Sequence, residues 1–176
     1  MSEPEFSRPV KIDTLGSKPR EMSIEAGDAE REALARRFGI GAIGSLLADV
    51  AISRNGDEVM AKGRLSAEVT QSCVVTEKPL VTKIEEPFDI VFRPQPATDS
   101  IEDEIELMET DLDVVFYDGA AIDVGEAVAE TLSLSLDPYP RASDAEDVLK
   151  AAGVKSEEEA GAFGALASLR AKLKPQ

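Results

Sequence analysis

The sequence predicts an α+β fold: a curved or barrel-like antiparallel β-sheet with one helix in the N-terminal half and helices towards the C-terminus. Three observations carry this expectation. Apolar residues alternate with period two through "ADVAISRNGDEVMAKGRLSAEV" (48–69) and again up to Phe92. Asn55-Gly56 interrupts that alternation with the strongest short hairpin signal. Helix-period apolar faces lie on either side, at 29–38 and after Asp123. At 176 residues the chain fits a single domain, 1–176, with a long acidic loop at about 94–111 and a helical tail at about 143–173.

Taken in order, "FSRPVKIDTL" (6–15) reads as a strand that Pro9 confines to an edge, and "REMSIEA" (20–26) as a second extended piece. Asp28 is placed to cap the helix "AEREALARRF", which Gly39 ends. Ala48, Val50 and Ile52 then share one strand face, and Val59, Ala61, Leu65, Ala67 and Val69 the facing one. The turn "TEKP" (76–79) leads to a third strand, "LVTKIEEPFDIVFRP", completing a meander. "LDVVFYDG" (112–119) is a further strand. Asp123 caps "VGEAVAETLSLSL", where Val124, Val128, Leu132 and Leu136 repeat every four residues and Pro138 and Pro140 stop the helix. "SDAE" (143–146) and "SEEE" (156–159) have the spacing of capping boxes opening two short tail helices.

Charge is concentrated rather than spread. The net charge is −16, and residues 94–140 hold 13 acids with no Lys or Arg. Phosphate neutralisation needs a basic surplus, so direct RNA binding is disfavoured and a basic protein partner is the easier match. No apolar run approaches the ~18–20 residues that span a bilayer. "MSEPEFSRPV" lacks the basic-then-apolar order of a secretory signal. A cytoplasmic protein without membrane contact is expected.

Catalytic patterns are scarce. With no histidine, Ser-His-Asp and Cys-His chemistry fall away, as do His-containing zinc sites. The lone Cys73 cannot form a clamp with another cysteine of its own chain, and its place at the end of an apolar strand reads as a buried packing residue. "GIGAIG" (39–44) spells G-x-G-x-x-G, but a helix precedes it and a strand follows, the reverse of a dinucleotide site. "DLDVVFYDG" begins like a calcium loop, yet Val115 fills the next ligand position. No cofactor and no metal are expected.

Three stretches together, "SCVVTEKPL", "IDVGEAVAETLSLSLDPYPR" and "GAFGALASLRAKL", resemble the YceD family of large ribosomal RNA subunit accumulation proteins, in its alphaproteobacterial branch. The resemblance covers most of residues 5–173 and is most specific over Asp137–Arg141. It implies a role in large-subunit biogenesis, through accumulation or processing of its RNA, and no established catalysis. The partner it implies is a ribosomal protein, an assembly factor or a pre-ribosomal particle. Many members carry C-x-x-C where this chain has Cys73 and Thr76.

Asp123, Glu126 and Glu130 are spaced by three and four and so share one helix face, with no base in the helix to answer them. Asp137, Tyr139 and Arg141 follow at the proline-fixed exit, an aromatic ring and a planar donor of the kind enriched at contact hot spots. These six form the candidate partner-binding surface. Two rivals stand beside it: an RNA-binding module using Arg31, Arg36, Arg37, Arg54, Lys62 and Arg64, and an enzyme of unknown chemistry with convergent carboxylates.

In the tail, Phe163, Leu166, Leu169 and Leu173 fall on one helical face. Packing of that face on the domain predicts that deleting residues 156–176 lowers the melting temperature. An unchanged melt with loss of a partner would assign the face to docking instead.

Overall fold

The computed structural model describes residues 4–96 and 113–154. Its elements are β1 (Pro9–Lys11), β2 (Arg20–Glu25), α1 (Asp28–Phe38), β3 (Ala42–Asn55), β4 (Glu58–Ser72), β5 (Pro79–Pro94), β6 (Asp113–Tyr117), β7 (Ala121–Asp123), α2 (Val124–Ser135) and α3 (Ala145–Ala151). A short 3₁₀ turn, Ile12–Thr14, follows β1, so the extended stretch expected over 6–15 is regular only at Pro9–Lys11. Two compact units divide the chain, Met1–Gln71 with Val81–Pro138 and Ser72–Leu80 with Tyr139–Gln176.

Around Asn55-Gly56 the expected hairpin forms, with Gly56 at φ 63°, the left-handed conformation that a tight β-turn asks of glycine. Ala48, Val50 and Ile52 face Leu65, Gly63 and Ala61 across the ladder. The register slips between Ile43 and Ser45. That bulge inserts one residue, so Ile43 and Leu46, of opposite parity in sequence, both enter the core. At Gly63 a Cβ would lie 2.2 Å from the Asp49 carbonyl oxygen and 2.7 Å from Phe88 Cζ, so the missing side chain is the space Phe88 occupies.

The sheet runs β2-β3-β4-β5-β6, with β1 and β7 as a separate two-stranded ribbon. It is open, not the barrel the sequence suggested. Its outer strands are short, six residues in β2 and five in β6, and the helices cover the apolar face instead. Leu34 and Ala35 of α1 and Val124, Val128 and Leu132 of α2 join Ile52, Val59 and Leu65 in one core. Nor is the sheet wholly antiparallel, because β6 pairs parallel to β5. A parallel pair needs a crossover of a dozen or more residues, and the chain between Pro94 and Asp113 is long enough to supply it.

Apolar alternation in β5 succeeds only in part. Phe88, Ile90 and Phe92 are buried, whereas Pro79–Pro87 has no buried residue and Val81 is 66% exposed. The cap of helix α1 falls one residue before the expected Asp28, which is itself the first helical residue. Gly27 is the N-cap, and its N–H donates to Glu30 Oε2 at 2.7 Å. Glu30 also takes both guanidinium nitrogens of Arg8, at 2.7 and 2.9 Å, and these bonds hold its carboxyl below the usual range. In the second unit α3 is capped at Asp144 rather than Ser143. The loop beyond Pro96, the "SEEE" box and the face from Phe163 to Leu173 lie outside the described residues.

Helix α2 starts against the N-terminal segment at contact distance. A Cβ on Gly125 would come within 2.4 Å of the Phe6 carbonyl oxygen and 2.9 Å of the Arg8 nitrogen. Backbone atoms cannot swing aside as side chains do. Gly125→Ala is therefore expected to cost about 1–3 kcal/mol of stability through overpacking, read as a lowered denaturant midpoint. A midpoint equal to wild type would show that the close approach is not a packing constraint.

Candidate functional site

Two places bring together residues with chemistry, one in each unit. In the first unit a cleft of about 200 Å³ opens between β6 and α2, lined by Phe92, Val115, Phe116 and Tyr117 and by the acids Asp118, Asp123, Glu126 and Glu130. Parity explains the wall. Val115 and Tyr117 pack against the core, and Phe116, one residue out of phase, is 53% exposed. The Tyr117 hydroxyl donates to the Asp57 carbonyl at 2.7 Å, anchoring the end of β6.

The acids of this cleft differ in how much internal work occupies them. Asp123 is held from four sides. Its carboxylate accepts from the Arg8 N–H (2.8 Å), the Ser7 hydroxyl (2.5 Å), and the Gly125 and Glu126 N–H groups (3.0 and 3.2 Å). Glu126 is not unanswered, as its helix alone suggests. Arg37 of α1 donates to both its oxygens, at 2.7 and 3.0 Å, and also to Glu5 at 3.1 Å. The two carboxylates raise the Arg37 pKa further, Glu126 most. Glu130, one turn along α2, is exposed in the cleft wall.

Asp137 follows α2 in the first unit, and its carbonyl accepts from Gln71 Nε2 at 2.8 Å. Tyr139 (72% exposed) and Arg141 belong to the second unit. The structure thus gathers Asp123, Glu126 and Glu130 into one cleft and adds Asp118 and Phe116, which helix spacing alone does not reveal. Of the basic residues of the RNA reading, five are answered by acids. Arg31 pairs with Asp28, Arg37 with Glu126 and Glu5, Arg54 with Asp57, Lys62 with Asp89 and Arg64 with Glu85. Arg36 is exposed on α1.

The second place is the turn after β4. Cys73 is buried, but its surroundings are polar, and it stands apart from the main apolar cluster. Its Sγ accepts from the N–H groups of Ala142 (3.2 Å), Thr76 (3.4 Å) and Val75 (3.5 Å). Around it, Glu77 N–H donates to the Cys73 carbonyl and Val74 N–H to the Pro140 carbonyl, each at 2.9 Å, and Lys78 pairs with Asp144. Glu77 takes the left-handed conformation, φ 57°. The Thr76 hydroxyl foremost, then the Ala142, Thr76 and Val75 amides, bring the Cys73 thiol down to about 7. Thr76 Oγ1 is itself buried and forms no hydrogen bond of normal geometry. Cys73 is therefore a sulfur acceptor that ties the turn to the Pro140–Ala142 strand of chain, more than the plain apolar filler its position suggests. Among the described residues no three Cys, Asp or Glu side chains gather to hold a metal ion.

The family model for the large ribosomal RNA subunit accumulation protein YceD matches residues 61–170, and the chain belongs to the YceD family. The matched region spans β4 to α3 and so contains both places described above. No curated protein and no solved structure gives a significant match. No helix among the described residues is long and apolar enough to cross a membrane.

A depressed thiol pKa binds protons less tightly folded than unfolded, so its stabilising effect is present above the ordinary value of 9.0 and lost as pH falls through about 7. Thiolate absorbance in the folded protein should titrate with a midpoint near 7, and Thr76→Val should move that midpoint up. A wild-type midpoint at the ordinary value would overturn the described role of the amides and the hydroxyl. Cys73→Ala should also flatten the rise of stability with pH across this window.

Proposed function

We propose that the chain supports accumulation or processing of large-subunit ribosomal RNA without catalysing a reaction, by presenting the acidic β6–α2 cleft to a basic ribosomal protein or assembly factor in the cytoplasm. The observation that carries this reading is the cleft itself: four carboxylates beside an exposed aromatic, in a segment with 13 acids and no base. Membership of the YceD family supplies the ribosomal context. Low-dielectric walls on one side strengthen the field of the acids at the cleft mouth. A Lys- or Arg-bearing partner is steered there, and the contact weakens as salt rises.

Within the surface the residues divide by task. Glu130, with Asp118, faces the partner; Glu126 contributes field while also bound to Arg37; Asp123 positions the start of α2. Asp137 follows the helix in the same unit, and Tyr139 and Arg141 are a separate contact surface on the second unit. Pairing of the bases with acids supports the protein-partner reading over the RNA-binding one, since guanidinium groups already facing carboxylates have less to offer phosphate.

Glu130→Lys tests this with little structural side effect. Reversing Glu126 would break its bond to Arg37, and Asp123→Ala would remove a cap at a cost of about 0.5–2 kcal/mol. The protein with Glu130→Lys should melt within error of wild type. It should co-purify with basic partners in the presence of nuclease at least several-fold less well, and restore large-subunit RNA poorly in cells lacking the native copy. Normal RNA accumulation with this variant at wild-type level would remove the cleft from the proposal.

A further inference from the structure

Strand β6 ends the sheet, and among the described residues its outer edge has no partner strand. Which groups point outward follows from the ladder. Gln95 N–H donates to the Tyr117 carbonyl at 2.9 Å, so residue 117 turns its polar groups towards β5, and by alternation 113 and 115 do the same. Val114 and Phe116 therefore direct their N–H and C=O groups to the open side. Natural edges are blunted by lysine, proline, bulges or a covering element. "DVVFY" has none of the first two, keeps regular register with Ile90–Pro94, and after Asp113 consists of strong β-formers.

We propose that this edge takes an extended segment of the basic partner as an added strand. The inference rests on the functional reading above and names its mode of binding. Backbone bonds to Val114 and Phe116 would hold the segment. Its side chains would alternate between the two faces of the sheet, and Glu130, Glu126 and the exposed Phe116 line the cleft at this edge. Charge selects the occupant. Asp113, Asp118 and Glu130 surround the edge and the segment 94–140 holds no base, so a Lys- or Arg-rich strand is attracted and a second copy of this acidic chain is repelled. Strand addition draws affinity from the main chain and specificity from alternate side chains, the combination that this edge and cleft offer.

A short synthetic peptide alternating Lys and Val serves as the probe, with the full chain as receptor. Hydrogen exchange should show the Val114 and Phe116 amides protected on adding peptide, while the amides already facing β5 change little. Val114→Pro removes only an outward donor and obstructs a new strand, and should weaken peptide binding at least tenfold. If that variant fails to fold, Phe116→Lys, which blunts the edge by charge, should give the same loss. Equal binding by wild type and the edge variant, with Glu130→Lys still abolishing it, would overturn strand addition and leave the acidic surface intact. Failure of Glu130→Lys to matter, with amide protection retained, would instead overturn the charge reading while keeping the edge. A concentration-dependent dimer lost on Val114→Pro would make a second copy the occupant and overturn the basic-partner assignment.

Discussion

The Asp123 carboxylate joins the two ends of the first unit, and the placement of α2 depends on it. One oxygen takes the Arg8 N–H and the first free amides of α2, and the other takes the Ser7 hydroxyl. An N-cap normally answers only its own helix. Here it also fixes the segment that enters β1, which pairs with β7 immediately before the helix. The Arg8 side chain then reaches Glu30 at the start of α1, so the two helices share a backbone anchor. Gly125 makes that junction possible by letting the Phe6–Arg8 backbone lie against the helix. Phe6, fully buried, drives the segment into the core from the apolar side. Polar anchoring and apolar burial act here on neighbouring residues, which is why α2 and its acids have a defined position over the sheet.

That anchoring gives the acidic face its division of labour. A carboxylate surrounded by donors is structural even when it lies on a charged surface. Asp123 is of this kind, and Glu126 is half so, because Arg37 bridges it to Glu5. Exposed pairs contribute about 0–1 kcal/mol, so the Arg37 bridge orients more than it stabilises. It also lowers the local excess of negative charge at the base of the cleft, leaving the field strongest towards Glu130 and Asp118. The thiol in the second unit follows the same logic with a different atom. Three backbone amides converge on the Cys73 sulfur.

Much of this was legible in the residues, wherever the cause is local. Asn55-Gly56 marked its hairpin, odd-numbered apolar residues marked the buried face of β4, and Asp123 marked its cap. What escaped depends on distant parts of the chain. The bulge at Gly44 changes strand parity without a local signature. The parallel β5–β6 pairing depends on a connector whose path composition does not dictate. Arg37 and Glu126 stand 89 positions apart, so helix spacing alone left Glu126 apparently without a counter-charge. Phe116 was recoverable, since "VVFY" already sets it opposite Val115 and Tyr117 in parity. Its significance emerged only with the sheet order, which makes β6 an edge.

The ribbon of β1 and β7 has a consequence for biosynthesis. Ser7 and Asp123 are separated by 116 positions, so the chain's first strand is made long before its partner. At translation rates of about 5–20 residues per second the interval is on the order of ten seconds. During that time the β3–β4 hairpin, whose strands are joined by a tight turn, can already form. The Phe6–Arg8 backbone lies against the start of α2, so Phe6 cannot complete its burial until α2 has emerged. Completion of the first unit is therefore a late, cooperative step, and a nascent chain stalled before residue 123 exposes its N-terminal apolar segment.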